Sequence, residues 1–235
     1  MTRIQLQPAF VLHTRAYRDN SVIAEIFSQD YGRLSVLAKG QRSAGTRAKF
    51  YLAPFSALSL SWQGKSDLKL LTDAELATPL PPLLEERLYC AFYLNELLIR
   101  LLPVHDPHPE LFQVYARLLA RLPETARLEA ELRRFEIELL DQLGYGISFT
   151  HVAETGLAVV DGAYYHFIPD LGFRLVEQQV REKEQFFQGA TLLAMAADDF
   201  SRSETLLAAK KLLRLALAPH LGDKPLKSRE LFRKT

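Results

Sequence analysis

The sequence predicts an α+β protein, with an N-terminal five-stranded β-barrel followed by a mainly helical domain that carries a small β insert. Three observations lead to this fold class. Apolar and polar residues alternate over short runs in the first eighty residues, which is the period of half-buried strands. From about residue 83 the apolar period becomes helical. Between the two lies the proline cluster Thr78-Pro79-Leu80-Pro81-Pro82, which can continue neither element. We therefore expect domains at 1–80 and 81–235.

Five runs in the first eighty residues are predicted to be strands. The third, Arg33–Lys39, shows the pattern best, because Leu34, Val36 and Ala38 fall on one face and polar residues fall on the other. The remaining four predicted strands are Phe10–Thr14, Ser21–Phe27, Phe55–Trp62 and Leu68–Thr72. Five short strands with a Gly/Ser/basic interruption after the third fit a small Greek-key barrel of the OB type. An SH3-like barrel remains the alternative, since periodicity does not distinguish the two.

Helical periods follow the proline cluster. The predicted helices are Leu83–Leu102, Glu110–Leu122 and Leu128–Leu143, and Gly144 supplies a C-cap signal after the third. Residues 149–176 return to β character, with short runs at 159–160, 164–168 and 173–176. A capping box at Ser201-Arg202-Ser203-Glu204 then predicts the start of a last long helix that ends near Leu217.

Composition limits the class of protein. The chain of 235 residues is 48% hydrophobic and 24% charged, which is typical of a folded, soluble protein with one large or two modest domains. No apolar run is long enough to cross a bilayer, and the N-terminus has no signal-peptide pattern. The single cysteine, Cys90, excludes an intrachain disulfide and a thiolate-rich metal cluster within one chain. We therefore expect a cytoplasmic protein that does not act at a membrane.

Charge is segregated along the chain. Residues 1–80 carry a net charge of +4, residues 81–201 carry −9 and residues 202–235 carry +6. Within the first block, residues 31–66 hold six Lys and Arg residues and no carboxylate. Such a one-signed stretch favours a polyanionic partner, and the second basic block favours nucleic acid. A solvated basic loop is the alternative reading of the first stretch.

The candidate nucleic-acid-binding residues come from both basic blocks. They are Arg15, Arg33, Lys39, Arg42, Arg47, Lys49, Lys65, Lys210, Lys211, Arg214, Lys224, Lys227 and Arg229. In an OB-type barrel, strand faces and hairpin loops form a groove that can follow a phosphate backbone. No side chain has the pattern of a base-specific contact, so we expect binding that is independent of sequence.

The sequence carries no recognisable catalytic constellation. It has no phosphate-binding loop, no dinucleotide-binding glycine pattern, no nucleophile elbow and no H-E-x-x-H metal motif. His105 and His108 flank Asp106, but they lie in a proline-broken loop without a third convincing ligand. We therefore expect no enzymatic activity, no cofactor and no metal.

Several ordered segments resemble the RecO family of bacterial recombination mediators and DNA-repair proteins, over essentially the whole chain. These segments are Ala9-Phe10-Val11-Leu12-His13-Thr14-Arg15, Gly32-Arg33-Leu34-Ser35-Val36-Leu37-Ala38-Lys39-Gly40, Tyr93-Leu94-Asn95-Glu96-Leu97-Leu98, Leu132-Arg133-Arg134-Phe135-Glu136, Leu143-Gly144-Tyr145-Gly146 and Gly222-Asp223-Lys224-Pro225-Leu226-Lys227-Ser228-Arg229-Glu230-Leu231-Phe232. The last segment is the longest and the most specific.

The resemblance implies an N-terminal OB fold, a helical C-terminal domain, and binding to single- and double-stranded DNA. It also implies strand annealing at the nucleoid, and loading of the recombinase onto strands coated by single-strand-binding protein. RecR and the acidic tail of single-strand-binding protein are the implied partners. Many members of the family carry a four-cysteine zinc module after the Gly-Tyr-Gly turn, but residues 149–176 here contain no cysteine. The chain thus resembles a zinc-free branch, whose insert must be held by β pairing and apolar contacts.

An acidic tail that ends in phenylalanine needs a cation beside an apolar pocket. Arg134 has Glu138 one turn on as an expected partner, whereas Arg133 faces Ile137 and Leu140. We therefore expect Arg133, Ile137 and Leu140 to hold the tail, with Lys210, Lys211 or Arg214 as the alternative anchor. Two other functions compete with the mediator: a scaffold that acts mainly through the acidic helical domain, and a DNA-processing enzyme. The basic regions lack the carboxylate cluster that metal-dependent hydrolysis of DNA needs, which argues against the enzyme.

Overall fold

The computed structural model describes residues 3–18, 20–40, 52–176 and 185–232. The chain divides into two compact units, Met1–Thr125 with Pro225–Thr235, and Ala126–Lys224. The first unit therefore contains the N-terminal barrel, the first two helices and the C-terminal segment. The domain limits of 1–80 and 81–235, which rest on the change in sequence character, stay a prediction.

A closed five-stranded barrel forms the N-terminal part of the first unit. Its strands are β1 (Arg3–Tyr17), β2 (Ser21–Ser28), β3 (Gly32–Ala38), β4 (Ala57–Gln63) and β5 (Leu68–Thr78). Their order around the barrel is β1-β2-β3-β5-β4, with β3 parallel to β5 and every other pair antiparallel. The predicted α+β class is confirmed, and this arrangement is consistent with the OB type.

The interior of the barrel follows the alternation of the sequence. Leu34, Val36 and Ala38 of β3 are buried in the same core as Leu58 and Leu60 of β4. All five predicted strands exist, but β1 and β5 are longer than expected. The length of β1 has a structural cause: its first half pairs with β4 and its second half pairs with β2, so one strand closes the barrel.

Two helices of the first unit follow the barrel: α1 (Glu85–Leu101) and α2 (Pro109–Arg121). Phe112 of α2 packs against Phe10 and Phe27 on the outer surface of β1 and β2, with ring centroids 5.2 Å and 5.5 Å away. This outer surface is apolar where the helices cover it, which explains why Phe27 is fully buried although it lies outside the barrel core.

A buried polar relay joins these helices to β1. The side-chain amide of Asn95 donates a hydrogen bond of 2.7 Å to the carbonyl oxygen of Leu12, and the hydroxyl of Tyr115 donates to the side-chain oxygen of Asn95. Leu12 lies where the register between β1 and β2 shifts, between Val11 and His13. Its carbonyl therefore receives from α1 a donor in a position where strand pairing is interrupted.

The second unit combines helices with a three-stranded sheet. Its helices are α3 (Leu128–Gln142), α4 (Gly189–Ala196) and α5 (Ser203–Leu221), and α3 packs against α5. Its strands β6 (Tyr164–Ile168), β7 (Gly172–Leu175) and β8 (Phe186–Gln188) are ordered β7-β6-β8. Phe167, Phe173 and Phe187 come from the three strands and pack with ring centroids 5.3–6.4 Å apart. Antiparallel pairing and an aromatic cluster thus hold the insert together.

Several details of the predicted second half differ from the structure. The predicted strand at 159–160 is absent from the described residues, and α4 and β8 were not expected. The capping box is wrong: α5 begins after Arg202, and no side chain caps its first turn. The last helix was expected to end near Leu217, but α5 continues through Pro219 to Leu221 and stops at Gly222, where φ is +63°. A short helix, α6 (Ser228–Leu231), completes the chain within the first unit.

Candidate nucleic-acid interface

The outer face of β2 and β3 is the surface with which OB-type barrels bind oligonucleotides, together with the β1–β2 and β4–β5 turns. Here Glu25 pairs directly with Ser35, and Ile23 pairs with Leu37. These four residues alternate with inward-facing Ala24, Leu34 and Val36, so they all lie on the outer face. The strand faces are thus mixed in polarity. Because Ile23 and Phe27 on this face are buried, the exposed cations at its ends are the groups that a phosphate backbone can reach.

Two of the predicted cations, Arg15 and Lys39, lie at the same end of this face. Arg15 lies beside Ile23, Ile23 lies beside Leu37, and Lys39 follows Leu37 by two residues. Strand spacing and rise therefore put the backbones of Arg15 and Lys39 roughly 12 Å apart. Both side chains are exposed, and neither forms an ion pair with any residue that the structure describes. This pair can face two phosphates of one strand.

Lys65 lies at the opposite end. It occupies the β4–β5 turn, three residues before Leu68, and Leu68 pairs with Ser35. Because β3 and β5 run parallel, Lys65 lies near the level of the start of β3, whereas Lys39 follows its end. The exposed cations of the barrel therefore bracket the β2–β3 face instead of forming a single cluster.

Arg33 differs from the other predicted DNA contacts, because its guanidinium is occupied within the protein. Its Nη1 lies 3.3 Å from Oε2 of Glu25, and its Nε donates a 3.0 Å hydrogen bond to the carbonyl oxygen of Leu102. Its side chain is only 17% exposed. The sequence pattern placed Arg33 correctly on the polar face of β3, but it did not show that a carboxylate on the neighbouring strand faces it.

The loop that follows α1 packs closely on the start of β3. The backbone N–H of His105 donates a 2.9 Å hydrogen bond to the carbonyl oxygen of Arg33. A Cβ on Gly32 would lie 2.0 Å from the carbonyl oxygen of Asp106, and Gly32 also has a φ of +63°. Only glycine fits this position. The Gly32-Arg33 pair of the sequence motif therefore fastens this loop to the barrel.

Three of the predicted cations, Arg42, Arg47 and Lys49, lie outside the described residues. Their DNA-binding role stays a prediction.

In the second unit, the predicted cations of α5 differ in their surroundings. Lys210 forms an exposed ion pair of 3.0 Å with Glu129. Lys211 donates to the carbonyl oxygen of Phe186 and lies over the ring of Phe187, so it fastens β8 to α5. Arg214 is exposed and forms no ion pair with the described residues. Lys224, the last residue of this unit, is also exposed.

The remaining cations of the C-terminal block belong to the first unit. The side chains of Lys227 and Arg229 are exposed and half-exposed, respectively, whereas Leu226 and Ser228 are buried. The carboxylate of Glu96 on α1 accepts hydrogen bonds from this segment at Lys227 and Ser228. The most specific motif of the sequence therefore docks onto α1 through its backbone and its apolar residues, and leaves its cations outward.

Arg133 and Arg134 do not have the partners that were expected. Arg134 pairs with Asp198 at 2.6 Å and with Glu131 at 3.2 Å, and not with Glu138. Arg133 has a partner: its Nη1 lies 2.9 Å from Oε2 of Glu136, with side chains that are 8% and 0% exposed. The i,i+3 spacing of Arg133 and Glu136 was a signal that could have revealed this pair.

The apolar residues predicted to accompany Arg133 are also little exposed: Ile137 is half-buried and Leu140 is buried. The predicted tail-binding set therefore lies mostly beneath the surface of α3.

A cavity of about 300 Å³ lies inside the second unit, beside the Gly144-Tyr145-Gly146 turn. His220 of α5 stacks on Tyr145 with ring centroids 3.8 Å apart, and its Nε2 lies 3.3 Å from Oδ1 of Asp170. These contacts tie the β6–β7 turn and the end of α5 to the glycine turn. Sequence reasoning read that turn as a helix end and as one of the segments that carry the family resemblance, and it did not predict these contacts.

Two features are absent from the part of the chain that the structure describes. No group of three His, Cys, Asp or Glu residues there could hold a metal ion. No helix there is long and apolar enough to cross a membrane.

Comparison with known proteins extends the resemblance over the whole chain. The family model described as Recombination protein O N terminal matches residues 1–80, and the one described as Recombination protein O C terminal matches residues 86–230. A DNA repair protein RecO from Coxiella burnetii (strain RSA 493 / Nine Mile phase I) is 46% identical over 231 residues, which cover 98% of each chain. Proteins with the same description from Haemophilus influenzae (strain 86-028NP) and Photobacterium profundum are each 45% identical, over 97% of this chain and 95% of their own.

Proposed function

The chain belongs to the RecO family of DNA repair proteins, and on this premise we propose that it is a recombination mediator that anneals DNA. It binds single- and double-stranded DNA without sequence specificity and pairs complementary strands. With RecR it helps to load the recombinase onto DNA that is coated by single-strand-binding protein. This work takes place in the cytoplasm, at the nucleoid.

The observation that carries the proposal is the barrel with its bracketing cations. Exposed Arg15 and Lys39 at one end of the β2–β3 face, and Lys65 at the other, can each take a phosphate. Lysine and arginine in these positions neutralise a backbone without reading bases. A mediator that must act on any damaged sequence requires such binding.

Annealing of this kind does not require covalent chemistry. Two strands repel each other through their phosphates, and a protein that neutralises phosphates on both lowers that barrier to pairing. The proposal therefore assigns no catalytic residue, no cofactor and no metal to this chain.

We propose that the acidic tail of single-strand-binding protein docks on the exposed face of α5. Leu207 is 66% exposed and lies one turn before Lys210 and two turns before Arg214. An exposed leucine beside two cations suits a peptide that combines carboxylates with an apolar side chain. Arg133 is the alternative anchor, but it would have to leave Glu136 to serve in this way.

A second candidate function is that of an interaction scaffold in which DNA contact is incidental. One observation favours it: the insert exposes Leu157 and Val160 by 62% and 61%, together with Tyr164 and Leu175. Exposed apolar residues in one short segment are typical of protein-binding surfaces.

An annealing assay distinguishes the two functions. Complementary strands are first coated with single-strand-binding protein, and their pairing rate is measured in buffer without nucleotide or divalent metal. The mediator is expected to accelerate pairing, and the double variant Arg15→Ala/Lys39→Ala is expected to lose most of that acceleration. Arg202→Ala is the matched control, since it removes an exposed cation outside the predicted set. Equal pairing rates with and without the protein would favour the scaffold.

A further inference from the structure

A partly exposed carboxylate lies on the outer face of β2, between the buried residues Ile23 and Phe27 and near the cations that are proposed to bind DNA. Glu25 faces outward from β2, directly opposite Ser35 of β3. The hydroxyl of Ser35 donates to its Oε1, and Nη1 of Arg33 lies 3.3 Å from its Oε2. Both carboxylate oxygens are therefore occupied, and the side chain is 21% exposed.

Arg33 is held on two sides. Besides Glu25, its guanidinium contacts the carbonyl oxygen of Leu102 through Nε at 3.0 Å. A direct phosphate contact would require the side chain to swing outward. That movement would leave a half-buried carboxylate without its counter-charge and a carbonyl without its donor.

Losing Arg33 would leave Glu25 as an uncompensated negative charge on this face. Like charges at close range repel about four times more strongly at the effective dielectric constant of a protein surface than in bulk water. An uncompensated Glu25 would therefore oppose any phosphate backbone that crosses the β2–β3 face.

We propose that Arg33 supports DNA binding indirectly, as a positioning residue that neutralises Glu25, and that it is not a phosphate contact. The phosphates are bound instead by exposed cations at the ends of the face, such as Arg15 and Lys39, which form no ion pair with the residues that the structure describes. This inference rests on the proposed function of the barrel as the DNA-binding surface. The inference distinguishes cations that bind phosphate from a cation that neutralises a carboxylate of the protein. A count of basic residues along the sequence does not distinguish these two roles.

The test uses the full-length protein and a fluorescent single-stranded oligothymidine. Dissociation constants are measured over a series of salt concentrations for the wild type, Arg33→Gln, Glu25→Gln and the double variant. Arg33→Gln is expected to weaken binding on the order of tenfold, because it exposes an uncompensated carboxylate. The double variant Glu25→Gln/Arg33→Gln is expected to bind within about twofold of the wild type, with an unchanged slope of log K against log salt concentration.

A direct phosphate contact gives a different pattern. The slope would then fall by about 0.7 in both Arg33→Gln and the double variant, without rescue by Glu25→Gln. That result would overturn the inference while leaving the proposed function intact. Absence of DNA binding by the wild type would instead refute the proposed function, and the inference with it.

Arg33→Lys separates charge from the docking of the loop after α1. Lysine keeps a cation near Glu25 but lacks the planar group that also reaches Leu102. We expect affinity within about threefold of the wild type for this variant. Binding as weak as that of Arg33→Gln, in a protein that melts like the wild type, would assign the effect to loop docking and overturn the inference.

Discussion

Glu96 and Ser228 fasten the C-terminal segment to α1. Oε2 of Glu96 accepts hydrogen bonds of 2.8 Å and 2.6 Å from the backbone N–H and the hydroxyl of Ser228, and Oε1 accepts one of 2.9 Å from the backbone N–H of Lys227. Burial alone would raise the pKa of Glu96, but these hydrogen bonds and the charge of Arg100 outweigh it, so the pKa lies below its ordinary value of 4.5. The ionised carboxylate is thus the form that holds the segment.

Glu96→Gln is expected to destabilise the protein by about 1 kcal/mol, a magnitude reduced by the partial exposure of the group. The change should loosen residues 225–232, because both carboxylate oxygens of Glu96 accept hydrogen bonds, whereas glutamine offers one acceptor oxygen and turns an NH2 group toward the other donors. Chemical denaturation measures the first effect, and hydrogen exchange of this segment measures the second. Glu75→Gln is the control, since Glu75 is exposed on β5.

The stabilisation from Glu96 depends on pH in a defined direction. Because its folded pKa is lowered, the contribution is fully present above pH 4.5 and is lost as the pH falls below that value towards the folded pKa. The difference in unfolding free energy between the wild type and Glu96→Gln should therefore shrink on acidification. A difference that stays constant from neutral pH to pH 3 would contradict the role of the carboxylate.

The relay of Tyr115, Asn95 and Leu12 is expected to matter more for stability than any surface pair. Tyr115→Phe should cost about 1–2 kcal/mol, because it removes the donor to the buried side-chain oxygen of Asn95. Asn95→Leu should cost about 3 kcal/mol, because it also removes the donor to the carbonyl of Leu12. Tyr31→Phe, at a partly exposed ring, is the control for denaturation experiments. Equal stabilities of Tyr115→Phe and Tyr31→Phe would argue against the relay.

Burial raises the pKa of Tyr115 well above its ordinary value of 10.0. The folded state therefore keeps this proton at pH values where the unfolded state loses it, so stability falls as the pH rises above 10. In an alkaline titration, we expect the phenolate absorbance of Tyr115 to appear only together with unfolding.

Local patterns were enough to predict the barrel strands and the three longest helices of the first 150 residues. Alternation identified Leu34, Val36 and Ala38 as core, because one face of each strand packs inward. Periodicity could not give the lengths of β1 and β5, since these depend on which neighbours are available to pair.

The candidate site shows a similar limit. Sequence spacing identified exposed cations such as Lys39, but not the occupation of Arg33 by Glu25, which depends on the register between two strands. Helical spacing could have predicted the ion pair of Arg133 and Glu136. It could not predict that this pair is buried, because burial depends on what packs against α3. The same residue types, arginine and lysine, can either stabilise the fold or be available to bind DNA. Only the neighbours of each side chain in the structure distinguish these two roles.

DNA binding is expected to depend steeply on salt through the cations at the ends of the barrel face. Arg15→Ala/Lys39→Ala should reduce the slope of log K against log salt by about 1.4 on single strands, or about 0.7 for each contact. Replacing Lys39, Arg42 and Arg47 together with Ala should also flatten the slope. Fluorescence titration over a salt series measures it, with Arg202→Ala as the control. An unchanged slope in these variants would put the groove elsewhere.

The purified protein is expected to contain no stoichiometric zinc. The insert draws its cohesion from strand pairing and from the cluster of Phe167, Phe173 and Phe187, so a chelator should leave the melting temperature unchanged. Elemental analysis and thermal melts with and without chelator measure both quantities. About one tightly bound zinc per chain would show that the cysteine-free insert uses other ligands.

Binding of a peptide that copies the acidic tail of single-strand-binding protein distinguishes the two candidate anchors. Arg214→Ala is expected to weaken peptide binding by about 1.5–3 kcal/mol, the range for a hydrogen bond to a charged group, and to leave the fold intact because Arg214 is exposed.

Arg133→Ala is a poor probe by itself, because it removes the cation beside the buried carboxylate of Glu136 and should destabilise the protein by about 3–5 kcal/mol. The double variant Arg133→Met/Glu136→Gln removes both charges and should keep the fold. If α5 is the anchor, this double variant binds the peptide as the wild type does. Loss of peptide binding in the double variant, with normal binding by Arg214→Ala, would return the anchor to Arg133.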